Sequence, residues 1–130
     1  MAITVLICDD NAPMRSLLCG VVGLSAAMRV IGEAADGEDA IREATRLQPD
    51  VMLLDLAMPV LSGLDALPQL REVAPAMKII VVSGFATDTV ADRVRELGAA
   101  TYIEKGANPD AIIAAIEDVV AAAPVQADRG

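Results

Sequence analysis

Val51-Met52-Leu53-Leu54-Asp55-Leu56-Ala57-Met58-Pro59 is the stretch whose reading decides the fold. Four apolar residues make a run of strand length, a carboxylate ends it, and a proline follows shortly after. Four more runs of this kind occur, at Ile3–Cys8, Val30–Ala34, Ile79–Val82 and Ala100–Ile103, several of them rich in β-branched residues. Helical spacing separates them: Pro13–Ala26, Glu38–Leu47, Leu64–Val73, Thr87–Leu97 and Pro109–Ala122. Strand and helix alternate five times, which predicts an α/β domain whose parallel sheet is covered on both faces and joined by right-handed crossovers. Asn11 before Pro13, Asp36-Gly37 and Asn108-Pro109 are the expected helix starts. Pro68 conflicts with the third helical pattern and is expected to kink that helix or delay its start.

Composition narrows the function. The chain has 130 residues, enough for one domain with a sizeable core, and 55% of them are hydrophobic. The expected division is a domain over 1–123 and a flexible tail or linker stub over 124–130. A formal charge of −9 repels phosphate backbones, so direct nucleic-acid binding by this chain is not expected. The lack of any histidine excludes imidazole bases and histidine metal sites. Cys8 and Cys19 show no CxxC spacing and read as small buried hydrophobes. There is no basic leader before the first apolar run, and the uncharged stretch Ser16–Met28 is too short to span a bilayer. A cytoplasmic protein with no membrane contact is the expectation.

In an open parallel sheet, ligands bind beyond the carboxyl ends of the strands. Asp9-Asp10 follow the first strand, Asp55 the third, Ser83-Gly84 the fourth and Lys105-Gly106 the fifth. Alone, each has a plain explanation: Asp9 and Asp10 as helix-dipole partners, Ser83 as a turn residue, Lys105 as a solvated charge. Converging on one sheet edge, they call for a common purpose. Two carboxylate charges about 4 Å apart repel by roughly 4 kcal/mol at an effective dielectric of about 20. Protonation or a bound cation relieves this, and an all-oxygen ligand set favours Mg²⁺ or Ca²⁺. A carboxylate beside such a cation is a competent nucleophile toward a phosphoryl group, needing no base to activate it. A hydroxyl and an ammonium there meet the charge on phosphoryl oxygens.

Ile7-Cys8-Asp9-Asp10-Asn11, Leu54-Asp55-Leu56-Ala57-Met58-Pro59 with Gly63, Val81-Val82-Ser83-Gly84 and Tyr102-Ile103-Glu104-Lys105-Gly106 together resemble the response-regulator receiver domains of two-component signalling, the CheY-like superfamily. The resemblance runs from about Thr4 to Ala122. It implies a flavodoxin-like (βα)5 fold with strand order 2-1-3-4-5. It also implies a phosphoacceptor at Asp55, and Mg²⁺ held by Asp9, Asp10 and Asp55 with the backbone carbonyl of Ala57. Ser83 and Lys105 would contact the phosphoryl group, with Ser83 and Tyr102 as switch residues. The implied donor is a histidine kinase or a histidine phosphotransfer protein. The implied output is a changed partner-binding surface, bearing on transcription where an output domain follows, and the chain would be no enzyme beyond its own dephosphorylation.

Gly84 and Gly106 depart from the family, which more often has alanine and proline there; Lys105-Gly106-Ala107 is closer to the NarL/FixJ type. Ala57 and Phe85, both apolar, stand where the family tunes dephosphorylation, and they imply a long-lived phosphorylated form. A haloacid-dehalogenase-type phosphatase would need an acid two residues after its nucleophile, which Asp9-Asp10-Asn11 does not offer. A flavodoxin-like binding protein would need a phosphate loop after the first strand, and none is present. A pseudo-receiver is disfavoured because every acceptor-site group is in place. The first helix (Met14, Leu17, Leu18, Val21, Val22, Leu24) and the last (Ile112, Ile113, Ile116, Val119, Val120) are apolar on more than one face. Either this is aliphatic-rich packing, or the two helices form a patch for a kinase, a second copy or an output domain.

Overall fold

The computed structural model describes residues 2–84 and 88–122. Phe85, the start assigned above to the fourth helix at Thr87, and the tail over 124–130 lie outside the described residues. In chain order the elements are β1 (Ile3–Cys8), α1 (Ala12–Gly23), β2 (Met28–Ala34), α2 (Gly37–Leu47) and β3 (Val51–Leu54). They continue as α3 (Gly63–Val73), β4 (Lys78–Ser83), α4 (Asp88–Glu96), β5 (Thr101–Glu104) and α5 (Pro109–Ala121). The five strands are parallel and lie in the order 2-1-3-4-5.

Side chains alternate across the sheet as the pleat requires. Val5 and Ile7 of β1, Val51 and Leu53 of β3, and Ile80 and Val82 of β4 pack against Leu18, Val21 and Val22 of α1 and Ile112 and Ile116 of α5. Their neighbours Leu6, Cys8, Met52, Leu54, Ile79 and Val81 face Ala40 and Ala44 of α2, Leu67 and Leu70 of α3, and Val94 of α4. The two cores explain why β3 is apolar at every position: it is buried on both faces.

Capping side chains set the helix starts. Asn11 Oδ1 accepts from the Met14 N–H at 2.9 Å, Asp36 Oδ1 from Asp39 at 2.8 Å, and Asn108 Oδ1 from Ala111 at 2.9 Å. Ser62 caps α3 in the same way, its Oγ accepting from Asp65 at 3.1 Å.

Two expectations are corrected. α1 stops at Gly23 and does not reach Ala26, because Ser25 Oγ accepts from the Ala27 N–H at 3.1 Å and turns the chain toward β2. Pro68 does not delay α3, which begins at Gly63 and continues past it to Val73. Pro68 lies on the exposed side of the helix, where water can satisfy the carbonyl that its missing N–H leaves free.

Candidate phosphoacceptor site

β1 lies between β2 and β3, so the chain leaves β1 to one side and later returns on the other. The point of reversal is the ligand crevice of an open α/β sheet. Asp9 and Asp55 flank it, one residue beyond the paired Cys8 and Leu54. The Asp55 N–H donates to the Cys8 carbonyl at 2.9 Å, which fixes the two aspartates side by side. Ser83 ends β4, and its carbonyl accepts from the Lys105 N–H at 2.8 Å. The structure thus gathers Asp9, Asp10, Asp55, Ser83 and Lys105 at one edge of the sheet.

Asp9, Asp55 and Ser83 are buried, whereas Asp10 is exposed. The Lys105 ammonium sits 3.2 Å from Asp9 Oδ2 and 3.4 Å from Asp55 Oδ1. Burial raises the Asp55 pKa, and the Asp9 charge adds to it, outweighing the lowering by Lys105 and by the Ala57 N–H. Burial opposes the charged form of Lys105, but its contacts with Asp9 and Asp55 prevail and raise its pKa. Cys8, in the core beside Asp9, is pushed up by burial and then by the acidic charges, and is an inert thiol.

Carboxylate oxygens of Asp9, Asp10 and Asp55 lie within 4.8 Å of one another. Asn11 N–H occupies Asp9 Oδ1 at 2.9 Å, while the buried Oδ2 has the Lys105 ion pair at 3.2 Å and no hydrogen bond among the described residues. That buried carboxylate oxygen among two further carboxylates is a fitting ligand set for Mg²⁺. The donors are all oxygen, which suits a hard cation.

Gly63 and Gly37, already marked in the sequence, owe their role to close backbone packing, and Arg15 is a contributor that the sequence reading missed. Gly63 packs so tightly on the third strand's end that a Cβ there would lie 2.0 Å from the Asp55 carbonyl oxygen. Gly37 does the same against the Leu61 carbonyl, at 2.2 Å, and its N–H donates to that oxygen at 2.8 Å. These two glycines hold the loop that carries Ala57. Arg15 of α1 reaches the Asp9 carbonyl, with Nη1 at 2.7 Å.

Tyr102 packs against the core on the α2–α4 side, and its buried hydroxyl has no hydrogen-bond partner among the described residues. Ala57 is exposed, and its N–H donates to Asp55 Oδ1 at 3.4 Å. No helix among the described residues is long and apolar enough to cross a membrane.

A doubly wound sheet with an acidic, lysine-bearing crevice at its switch point belongs to the class of open α/β domains whose ligand site suits a hard divalent cation. Residues 5–117 match the response regulator receiver domain family, and the chain belongs to it. Phosphorylation on aspartate is general in that family of two-component regulators. Its members bind Mg²⁺ at an acidic pocket and interact with histidine kinases or phosphotransfer proteins. The chain is 35% identical over 119 residues to the response regulator GacA of Pseudomonas aeruginosa, which covers 92% of this chain and 56% of GacA. It thus spans about half the length of that relative. It is 33% identical over 115 residues to the chemotaxis protein CheY of Thermotoga maritima, covering 88% of this chain and 95% of CheY. Among solved structures, the response regulator domain of Thermotoga maritima CheB superposes with a TM-score of 0.88 at 27% identity, covering 95% of this chain and all of that domain.

Proposed function

We propose that Asp55 is the phosphoacceptor and that the chain is a switch, with no substrate of its own beyond its own dephosphorylation. The observation that carries this is the buried Asp55 carboxylate, flanked by the buried carboxylate of Asp9 and by the Lys105 ammonium 3.4 Å away. Asp9, Asp10, Asp55 and the Ala57 carbonyl would hold Mg²⁺, which supplies charge neutralisation for an incoming phosphoryl group. An Asp55 oxygen attacks phosphorus, the bond to the donor's imidazole nitrogen breaks, and the imidazole leaves with the electron pair. Lys105 then exchanges its carboxylate contact for a phosphoryl oxygen, and the Ser83 hydroxyl donates to another.

The donor is a histidine kinase or histidine phosphotransfer protein. Ala57 has no polar group to orient an attacking water, so the aspartyl phosphate is long-lived. Converting the carboxylate to an acyl phosphate shifts Ser83, and with it α4 and Tyr102. Leu17 of α1, Leu24 just after that helix and Val120 of α5, 58%, 70% and 38% exposed, form the surface for a second copy or an output domain. Any action on transcription would come through such an output domain.

Intact mass after incubation with acetyl phosphate and Mg²⁺ tests the reading. The expected result is one added phosphoryl group, absent from Asp55→Asn and from a sample in EDTA. Failure to label with acetyl phosphate, with beryllofluoride and with a panel of kinases would overturn it.

A further inference from the structure

We infer that Arg15 is a positioning residue for the acidic pair Asp9-Asp10, acting through the peptide that joins them. The inference rests on the reading that these aspartates hold a divalent cation. Arg15 stands in the first turn of α1, and its side chain is 21% exposed. Nη1 donates to the Asp9 carbonyl at 2.7 Å, while Nε pairs with Glu33 Oε1 at the end of β2, 3.2 Å away. The Asp9 carbonyl belongs to the Asp9–Asp10 peptide, so this bond fixes the plane from which Asp10 departs.

The rest of the turn is secured independently. The Asp9 N–H donates to the Ala34 carbonyl at 3.0 Å, and the Asn11 N–H orients the Asp9 carboxylate at 2.9 Å. The second of these is an Asx turn that holds the Asp9–Asp10–Asn11 segment from the side-chain side, but neither bond takes up the Asp9 carbonyl, and the exposed Asp10 must meet the buried Asp9 and Asp55 at one cation. Arg15 supplies the restraint on that carbonyl. Glu33 holds the guanidinium by its Nε edge and offsets its charge, so Arg15 steadies the backbone without competing with a cation for Asp10. Groups behind metal ligands typically change affinity by about 10- to 100-fold when removed.

Titration calorimetry of the chain with MgCl₂, beside urea unfolding in EDTA, tests this. Arg15→Met should weaken Mg²⁺ binding about tenfold, Glu33→Gln about threefold, and Arg15→Lys by an intermediate amount. A merely structural arginine would lower the unfolding midpoint and leave Mg²⁺ affinity unchanged. A folded Arg15→Met with the wild-type affinity overturns the inference. Should that variant not fold, unchanged affinity in Glu33→Gln overturns it instead. Absence of Mg²⁺ binding by the wild type would overturn the metal reading as well. Wild-type binding with unaffected variants sinks this inference alone.

Discussion

Lys105 and Asp55 meet with Nζ 3.4 Å from Oδ1, although they follow β5 and β3, which are separated by β4. The ammonium spans that gap because the Lys105 N–H is anchored on the Ser83 carbonyl of the intervening strand. It also lies 3.2 Å from Asp9, and so stands as counter-ion to two buried carboxylates. Lys105→Met leaves them uncompensated and should lower stability without Mg²⁺ by about 2 kcal/mol. Added Mg²⁺ should restore much of the loss. Urea unfolding of both proteins with MgCl₂ and with EDTA checks this; an equal deficit under both conditions would count against it.

Asp55 has a native pKa raised above the ordinary 3.8, by burial first and the Asp9 charge second. The native state therefore takes up this proton at a higher pH than the unfolded chain. Its contribution makes the metal-free protein more stable as pH falls through the native pKa, and the gain is complete near the unfolded value. Asp55→Asn removes the buried charge. It should be more stable than wild type near neutral pH by about 1 kcal/mol, with the difference closing toward the ordinary carboxylate range. Unfolding midpoints in EDTA across that range would reveal the convergence or its absence.

Gly63 has no room for a side chain, since a Cβ would stand 2.0 Å from the Asp55 carbonyl oxygen. The obstacle is backbone, which cannot rotate away. Gly63→Ala should cost about 3 kcal/mol and displace Asp55. Thermal unfolding gives the first effect, and the rate of labelling by acetyl phosphate the second. An alanine variant with wild-type stability would mean that the loop yields easily.

Val60 adopts a left-handed backbone at φ 68° while being 73% exposed. A β-branched residue is strained there, and its side chain gains little packing in return. Val60→Asn, and still more Val60→Gly, should stabilise the protein by roughly 0.5–1 kcal/mol. The measurement is a urea titration, and any loss of stability would show that Val60 makes contacts that outweigh the strain.

Much of this was legible along the chain. The run Val51–Leu54 announced a strand buried on both faces because burial on both sides leaves no position for a polar residue. Asn11, Asp36 and Asn108 announced helix starts because a cap is a contact across only three residues. Asp9, Asp10, Asp55, Ser83 and Lys105 were recognisable as candidates because each stands where an apolar run stops.

The sequence by itself thus determined the element order, the two-sided burial of the sheet and the set of chemical groups at its edge, all of them short-range properties of the chain. Only the tertiary structure decided that Asp9 and Asp55 are buried side by side, that Lys105 reaches past β4 to both, and that Arg15 grips the Asp9 carbonyl. It also decided that Pro68 is tolerated on the solvent side of α3 and that Gly63 and Gly37 must be bare. These depend on distances between segments far apart in the chain, which follow from strand pairing and helix packing and leave no periodic trace in the local sequence.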